Sequence, residues 1–126
     1  MAPFANRPLT SSERDLVRVM LERGIPEARS FLDQLELAEA TPWHCPCGCA
    51  SFNIQLRGHP PASPGVHILG DFLFGEEHEL SGIFVFSNDG LLSGVEVYGL
   101  TGEAPKILPN PESLRPAVWD PPSTSP

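Results

Sequence analysis

No stretch of this sequence is apolar for long enough to cross a bilayer, and its first residues, Met1-Ala2-Pro3-Phe4-Ala5-Asn6-Arg7-Pro8, hold no apolar core of a secretory leader. Basic residues are scarce: 8 Lys and Arg stand against 16 Asp and Glu, a formal net charge of −8. Such a surface repels phosphate backbones and anionic headgroups. Nucleic acid and membranes are therefore excluded as expected partners, and a basic protein is compatible. Charged residues make up only 19% of the chain, while hydrophobic residues reach 40%, which excludes wholesale disorder. There is no phosphate-cradling glycine loop and no Gly-x-Ser-x-Gly elbow. Cysteine is limited to three residues, an odd count that fits a reducing compartment better than a disulfide-paired secreted domain. The expected location is the cytoplasm.

What the chain does contain is enough for one domain, at 126 residues. Thr10-Ser11-Ser12-Glu13 has the form of a capping box and predicts a helix start at Thr10. Leu16, Val17, Met20 and Leu21 then follow at helical spacing. Gly24 is read as the stop, a residue able to take the left-handed conformation. Pro26 opens a second helix whose apolar stripe is Ala28, Phe31, Leu32, Leu35 and Ala38, ended by Thr41-Pro42. The short link between them predicts a helical hairpin.

Beyond residue 50 the hydrophobic period changes from helical to alternating. Strands are predicted at Ser51–Arg57, Val66–Phe74, Leu80–Phe86 and Leu92–Tyr98. Ser87-Asn88-Asp89-Gly90 is the clearest hairpin turn. From Glu103 onward prolines dominate and exclude a central strand or long helix. Leu108, Leu114, Val118 and Trp119 are candidate anchors for that tail. The expected fold is α+β: an N-terminal helical hairpin packed on a four-stranded antiparallel meander, with a proline-rich C-terminal tail. The expected divisions are an extension over 1–9, a single domain over 10–102 and the tail over 103–126.

All three cysteines lie within His44-Cys45-Pro46-Cys47-Gly48-Cys49. Three readings compete. Thiolates that converge on one ion favour zinc or copper(I) over magnesium or calcium. Cys45, Cys47 and Cys49 are then the ligands, with His44 a possible nitrogen ligand beside them and His59, His67 and His78 as others that folding could bring close. The absence of a second cysteine pair counts against this reading. In the second reading, Cys45–Cys47 or Cys47–Cys49 forms a strained, redox-active disulfide. In the third, the cysteines are small apolar residues that pack a tight turn.

Cys45-Pro46-Cys47-Gly48 resembles the opening of the SEC-C zinc motif, over those four residues. The wider layout resembles a family of small bacterial α+β proteins. These carry a helical pair, a Cys-Gly-Cys-x-Ser turn into a sheet, and an ending like Glu96-Val97-Tyr98-Gly99-Leu100 before prolines. That resemblance implies the fold and lends no activity.

Glu76-Glu77-His78-Glu79 gathers cation-binding groups, but in a turn where a solvated role is expected. Asp71 interrupts an apolar strand four residues after His67, so the two form a candidate acid–base pair on one strand face. No nucleophile accompanies them, and the enzyme reading is the weakest. The leading expectation is a non-catalytic interaction or regulatory protein, immunity- or antitoxin-like, with a basic partner on the uncovered sheet face. It would be a monomer or an edge-paired homodimer. The alternative is a small thiolate-metal protein that binds zinc through the cysteine cluster.

Overall fold

Thr10 and Glu13 start the first helix as the sequence predicts. The structure, a computed structural model, describes residues 5–61 and 63–117. The Glu13 N–H donates to Thr10 Oγ1 at 3.1 Å, and the Thr10 N–H donates to the Glu13 carboxylate at 2.9 Å. The Arg7 guanidinium grips both Glu13 oxygens at 2.8 Å. That ion pair holds the Glu13 carboxyl below its usual range, against the opposing effect of burial. Helix α1 (Ser11–Glu22) buries Leu16, Val17, Met20 and Leu21 against the sheet.

Gly24 follows α1, but not for the reason expected. It does not adopt a positive φ. A Cβ there would collide with the Leu69 carbonyl oxygen. Facing it, a Cβ on Gly70 would lie 2.9 Å from the Met20 carbonyl oxygen. The two glycines thus let the end of α1 touch strand backbone, and the Ile25 N–H donates to that Leu69 oxygen at 2.8 Å.

The second helical segment begins at Pro26 as predicted but is a 3-10 helix, Pro26–Leu37. Its buried residues are Ala28, Phe31 and Leu35. Gln34 pins it to the sheet, donating to the Gly90 carbonyl at 2.9 Å and accepting from the Leu92 N–H at 2.7 Å. Ala38 is not part of its stripe. Ala38–Ala40 is a strand instead, with Ala38 and Ala40 turned inward. The edge of the strand over Phe52–Leu56 offers unpaired backbone groups, and pairing there replaces a further helical turn.

The expected four-stranded meander is not observed. Among the described residues the sheet has seven antiparallel strands: β1 (Arg7–Pro8), β2 (Ala38–Ala40), β3 (Phe52–Leu56), β4 (His67–Phe74), β5 (Ser81–Asn88), β6 (Leu91–Gly99) and β7 (Arg115–Pro116). Their order is β1-β2-β3-β6-β5-β4-β7. The four predicted strands all form, but the first pairs with the last, through Phe52↔Val95 and Asn53↔Gly94. This is a Greek-key arrangement. The long proline-containing connection between β3 and β4 carries the chain to the far side of the β5–β6 hairpin. That hairpin turns on Asp89 (φ 54°) and Gly90 (φ 76°), the two positive angles of a type I′ turn.

The tail contributes to the sheet. Leu114 is buried, Leu108 packs against the core, and β7 pairs with β4. Val118 and Trp119 lie outside the described residues. Both sheet edges therefore end in an Arg-Pro dipeptide, which sets a charge and a residue without an N–H at each edge. The helical layer covers one sheet face. On the other, Phe84, Phe86 and Tyr98 are half-buried, with ring centroids 5.8 and 6.1 Å apart. The Tyr98 ring lies over Gly82 and the Phe86 ring over Gly94, where side chains would otherwise stand. Among the described residues no helix is long and apolar enough to cross a membrane.

Gly24→Ala should lower the unfolding free energy by about 2 kcal/mol, the cost of forcing a methyl into a packed contact. Gly102→Ala, where a Cβ meets nothing within 4 Å, should be close to neutral. Urea denaturation of the two variants checks this; equal midpoints would show that α1 does not touch β4 closely.

Candidate metal centre

Residues 41–51 join β2 to its antiparallel neighbour β3, so the cysteine cluster is an enlarged hairpin loop. The ladder continues into it, with the Thr41 N–H donating to the Asn53 carbonyl at 3.0 Å. The chain then reverses over Cys45-Pro46-Cys47-Gly48, closed by the Gly48 N–H donating to the Cys45 carbonyl at 2.9 Å. Pro46 pre-sets the φ that the second position of such a turn needs. Gly48 takes φ +85° in open space, so its backbone angle, not crowding, calls for glycine. The turn folds Cys45 back on Cys47 and leaves their Sγ atoms 3.0 Å apart.

Cys49 is held from the other direction. Its N–H points at Cys47 Sγ at 3.4 Å, and its thiol donates to Ser51 Oγ at 3.2 Å. Ser51 is buried and its oxygen accepts the Val97 N–H at 2.9 Å, which ties the loop's exit to β6. The Ala50 N–H bonds the Pro105 carbonyl at 2.9 Å and adds the C-terminal segment to the frame. All three cysteines are unbridged, and their Sγ atoms lie within 4.8 Å of one another. Four thiolates around zinc at the usual bond length of about 2.3 Å stand roughly 3.8 Å apart, so these three reach one ion with small side-chain rotations.

Cys45 and Cys49 do not titrate alike. The hydrogen bond with Cys47 is the main cause that pushes Cys45 up to about 11. For Cys49 burial acts upward, but hydrogen bonds from Ser51 and from the other two sulfurs outweigh it and bring the thiol down to about 7.

Among the described residues, the group of His, Cys, Asp and Glu side chains with mutually reachable ligand atoms is this cysteine triad. His44 is exposed and not in that group. It lines, with Cys49, Trp43, Arg7 and Lys106, an open cavity of about 700 Å³ beside the triad. His59 sits in the turn after β3, where its carbonyl accepts from Gln55. His78 lies in a short 3-10 turn, Glu77–Glu79, on a different cavity.

His67 and Asp71 are not brought together. A bulge between Ile68 and Gly70 breaks the alternation that would place them on one face. His67 pairs with Glu27 of the helical layer at 3.0 Å, whereas Asp71 accepts from the Tyr98 hydroxyl at 3.0 Å on the sheet face opposite that layer. Burial and that bond to a carboxylate push Tyr98 up to about 12. Sequence reasoning missed Ser51 and the Pro105 carbonyl. The serine two residues after the last cysteine was visible, but its bond to Val97 depends on the β3–β6 pairing.

In metal-free protein, ultraviolet thiolate absorbance should show one step near pH 7 from Cys49 and another near pH 11 from Cys45. Cys49→Ser should remove the first step. Cys45 and Cys49 ionising together at the ordinary cysteine value would contradict the hydrogen-bond pattern.

Comparison with protein-family models, with curated proteins and with solved structures finds no match for this chain.

Proposed function

We propose that this chain is a small thiolate-metal protein, in which Cys45, Cys47 and Cys49 together hold one soft cation, zinc or copper(I). The observation that carries this reading is the convergence of the three sulfurs within 4.8 Å on a loop pinned at both ends. The donor set suits those ions: thiolates favour closed-shell soft or borderline metals, and no carboxylate stands in the group. Copper(I) is satisfied by three sulfurs. Zinc takes a fourth ligand, and His44, exposed on the adjoining cavity, is the side chain nearest in sequence to supply it. The role is structural or metal-carrying, since His67 and Asp71 face apart and supply no acid–base pair. A bound ion would staple the β2–β3 loop to β6 through Cys49 and Ser51. It would add to stability whatever free energy its binding releases.

Purified apo-protein equilibrated with zinc should retain one equivalent after dialysis and melt higher than the metal-free form. At a free-metal level one hundred times the dissociation constant the gain is about 2.7 kcal/mol. Cys47→Ser should abolish both effects. Wild-type protein that dialyses metal-free with unchanged melting would end this reading.

A second reading is favoured by the uncovered sheet face. There the half-buried Phe84, Phe86 and Tyr98 lie beside the carboxylates of Asp71 and Glu96, in a chain of net charge −8. We propose that this face docks a basic, partly apolar segment of a partner protein, with charge steering the encounter. Amide resonances of β5 and β6 should shift on titration with an arginine- and leucine-rich peptide, and the shifts should fade as salt rises. Shifts confined to other strands would exclude this face.

A further inference from the structure

We propose that Cys45 and Cys47 form a redox-active dithiol that exchanges with disulfides of the glutathione class, while Cys49 stays outside the exchange. The consequence that oxidation expels a bound metal rests on the thiolate-metal reading; the exchange itself does not.

The turn already performs the closure that a disulfide needs. Pro46 and the Gly48-to-Cys45 hydrogen bond hold the two sulfurs at 3.0 Å before any bond forms. The third cysteine is tied elsewhere, its thiol bonded to a buried serine that is itself bonded to β6. Cys47 is exposed and Cys45 half-buried, so an incoming disulfide meets Cys47 first. Of the three cysteines, Cys49 alone lines the neighbouring cavity, which leaves the Cys45–Cys47 pair on the outer side of the turn.

The Cys47 thiolate attacks one sulfur of the disulfide RSSR. A Cys47–SR bond forms, the S–S bond of RSSR breaks, and RS⁻ departs. The Cys45 thiolate then attacks Cys47 Sγ. The Cys45–Cys47 bond forms, and a second RS⁻ departs. The two protons lost by the protein thiols convert the two RS⁻ to RSH. The protein is oxidised by two electrons and the disulfide is reduced. A ring closed across a single proline is strained, so the product is readily reduced again and the exchange runs in both directions. Both sulfurs that leave as a disulfide are proposed metal ligands, so oxidation removes two of the three donors.

The test uses full-length apo-protein and zinc-loaded protein in buffers of increasing oxidised glutathione. Alkylation and fragment mass spectrometry locate the remaining thiols. In apo-protein the titratable thiols should fall from three to one, with Cys49 alkylated and Cys45 linked to Cys47. Cys49→Ser, which removes a metal ligand but neither member of the pair, should still close the same link. Cys47→Ser should show no intramolecular link. The zinc-loaded form should release zinc in step with the link. Three surviving thiols, stable glutathione adducts without an internal bond, or a Cys47–Cys49 link would each overturn the proposal. Zinc retention together with no disulfide defeats the exchange alone. A Cys45–Cys47 link in a protein that never bound zinc supports the exchange and defeats the metal reading alone.

Discussion

The bond between the Ser51 hydroxyl and the Val97 N–H sits at the seam on which the whole sheet depends. On one side of that seam are β1, β2 and β3, and on the other β6, β5, β4 and β7. The paired register across it spans Phe52↔Val95 and Asn53↔Gly94, so the serine extends a short junction by one more contact. The same oxygen accepts the Cys49 thiol. Non-local strand pairing, core burial of Phe52 and Val95, and placement of the Cys49 sulfur are therefore one structural event. Loss of the seam would cost the cysteine its orientation as well as the sheet its continuity.

Much of the local structure was legible because its causes are local. The capping box needs only Thr10 and Glu13, and the type I′ hairpin needs only Asp89-Gly90 between alternating strands. What was not legible depends on distant partners. Alternation shows that Phe52, Ile54 and Leu56 share a face, but not which strand lies beside them. Ala38 fits a helical stripe and a strand equally well, and the free edge of β3 decides between them. Gly24 reads as a helix stop from either cause, and only the position of Leu69 shows that close packing is the one at work. The His67–Asp71 pair failed through one inserted residue, since a bulge reverses every side chain beyond it.

The site divides in the same way. Three cysteines within five residues are visible in the sequence, and a turn with proline second and glycine fourth brings the first two sulfurs together without help. The inequality of the three was hidden. Cys49 is distinguished by a buried serine and by a loop tied through Ala50 to Pro105, contacts that require the sheet and the C-terminal segment to be in place. That asymmetry fits one cluster to two proposed uses: all three sulfurs lie close enough to face one ion, while Cys45 and Cys47 stand 3.0 Å apart and Cys49 is bonded to Ser51.

The central claim is that the three sulfurs act on one ion. X-ray absorption at the metal edge of the zinc-reconstituted full chain tests it most directly. The expected result is a first shell of three sulfurs at about 2.3 Å, completed by one lighter atom. A shell of nitrogen and oxygen without sulfur would contradict it and return the cysteines to the role of turn-packing residues.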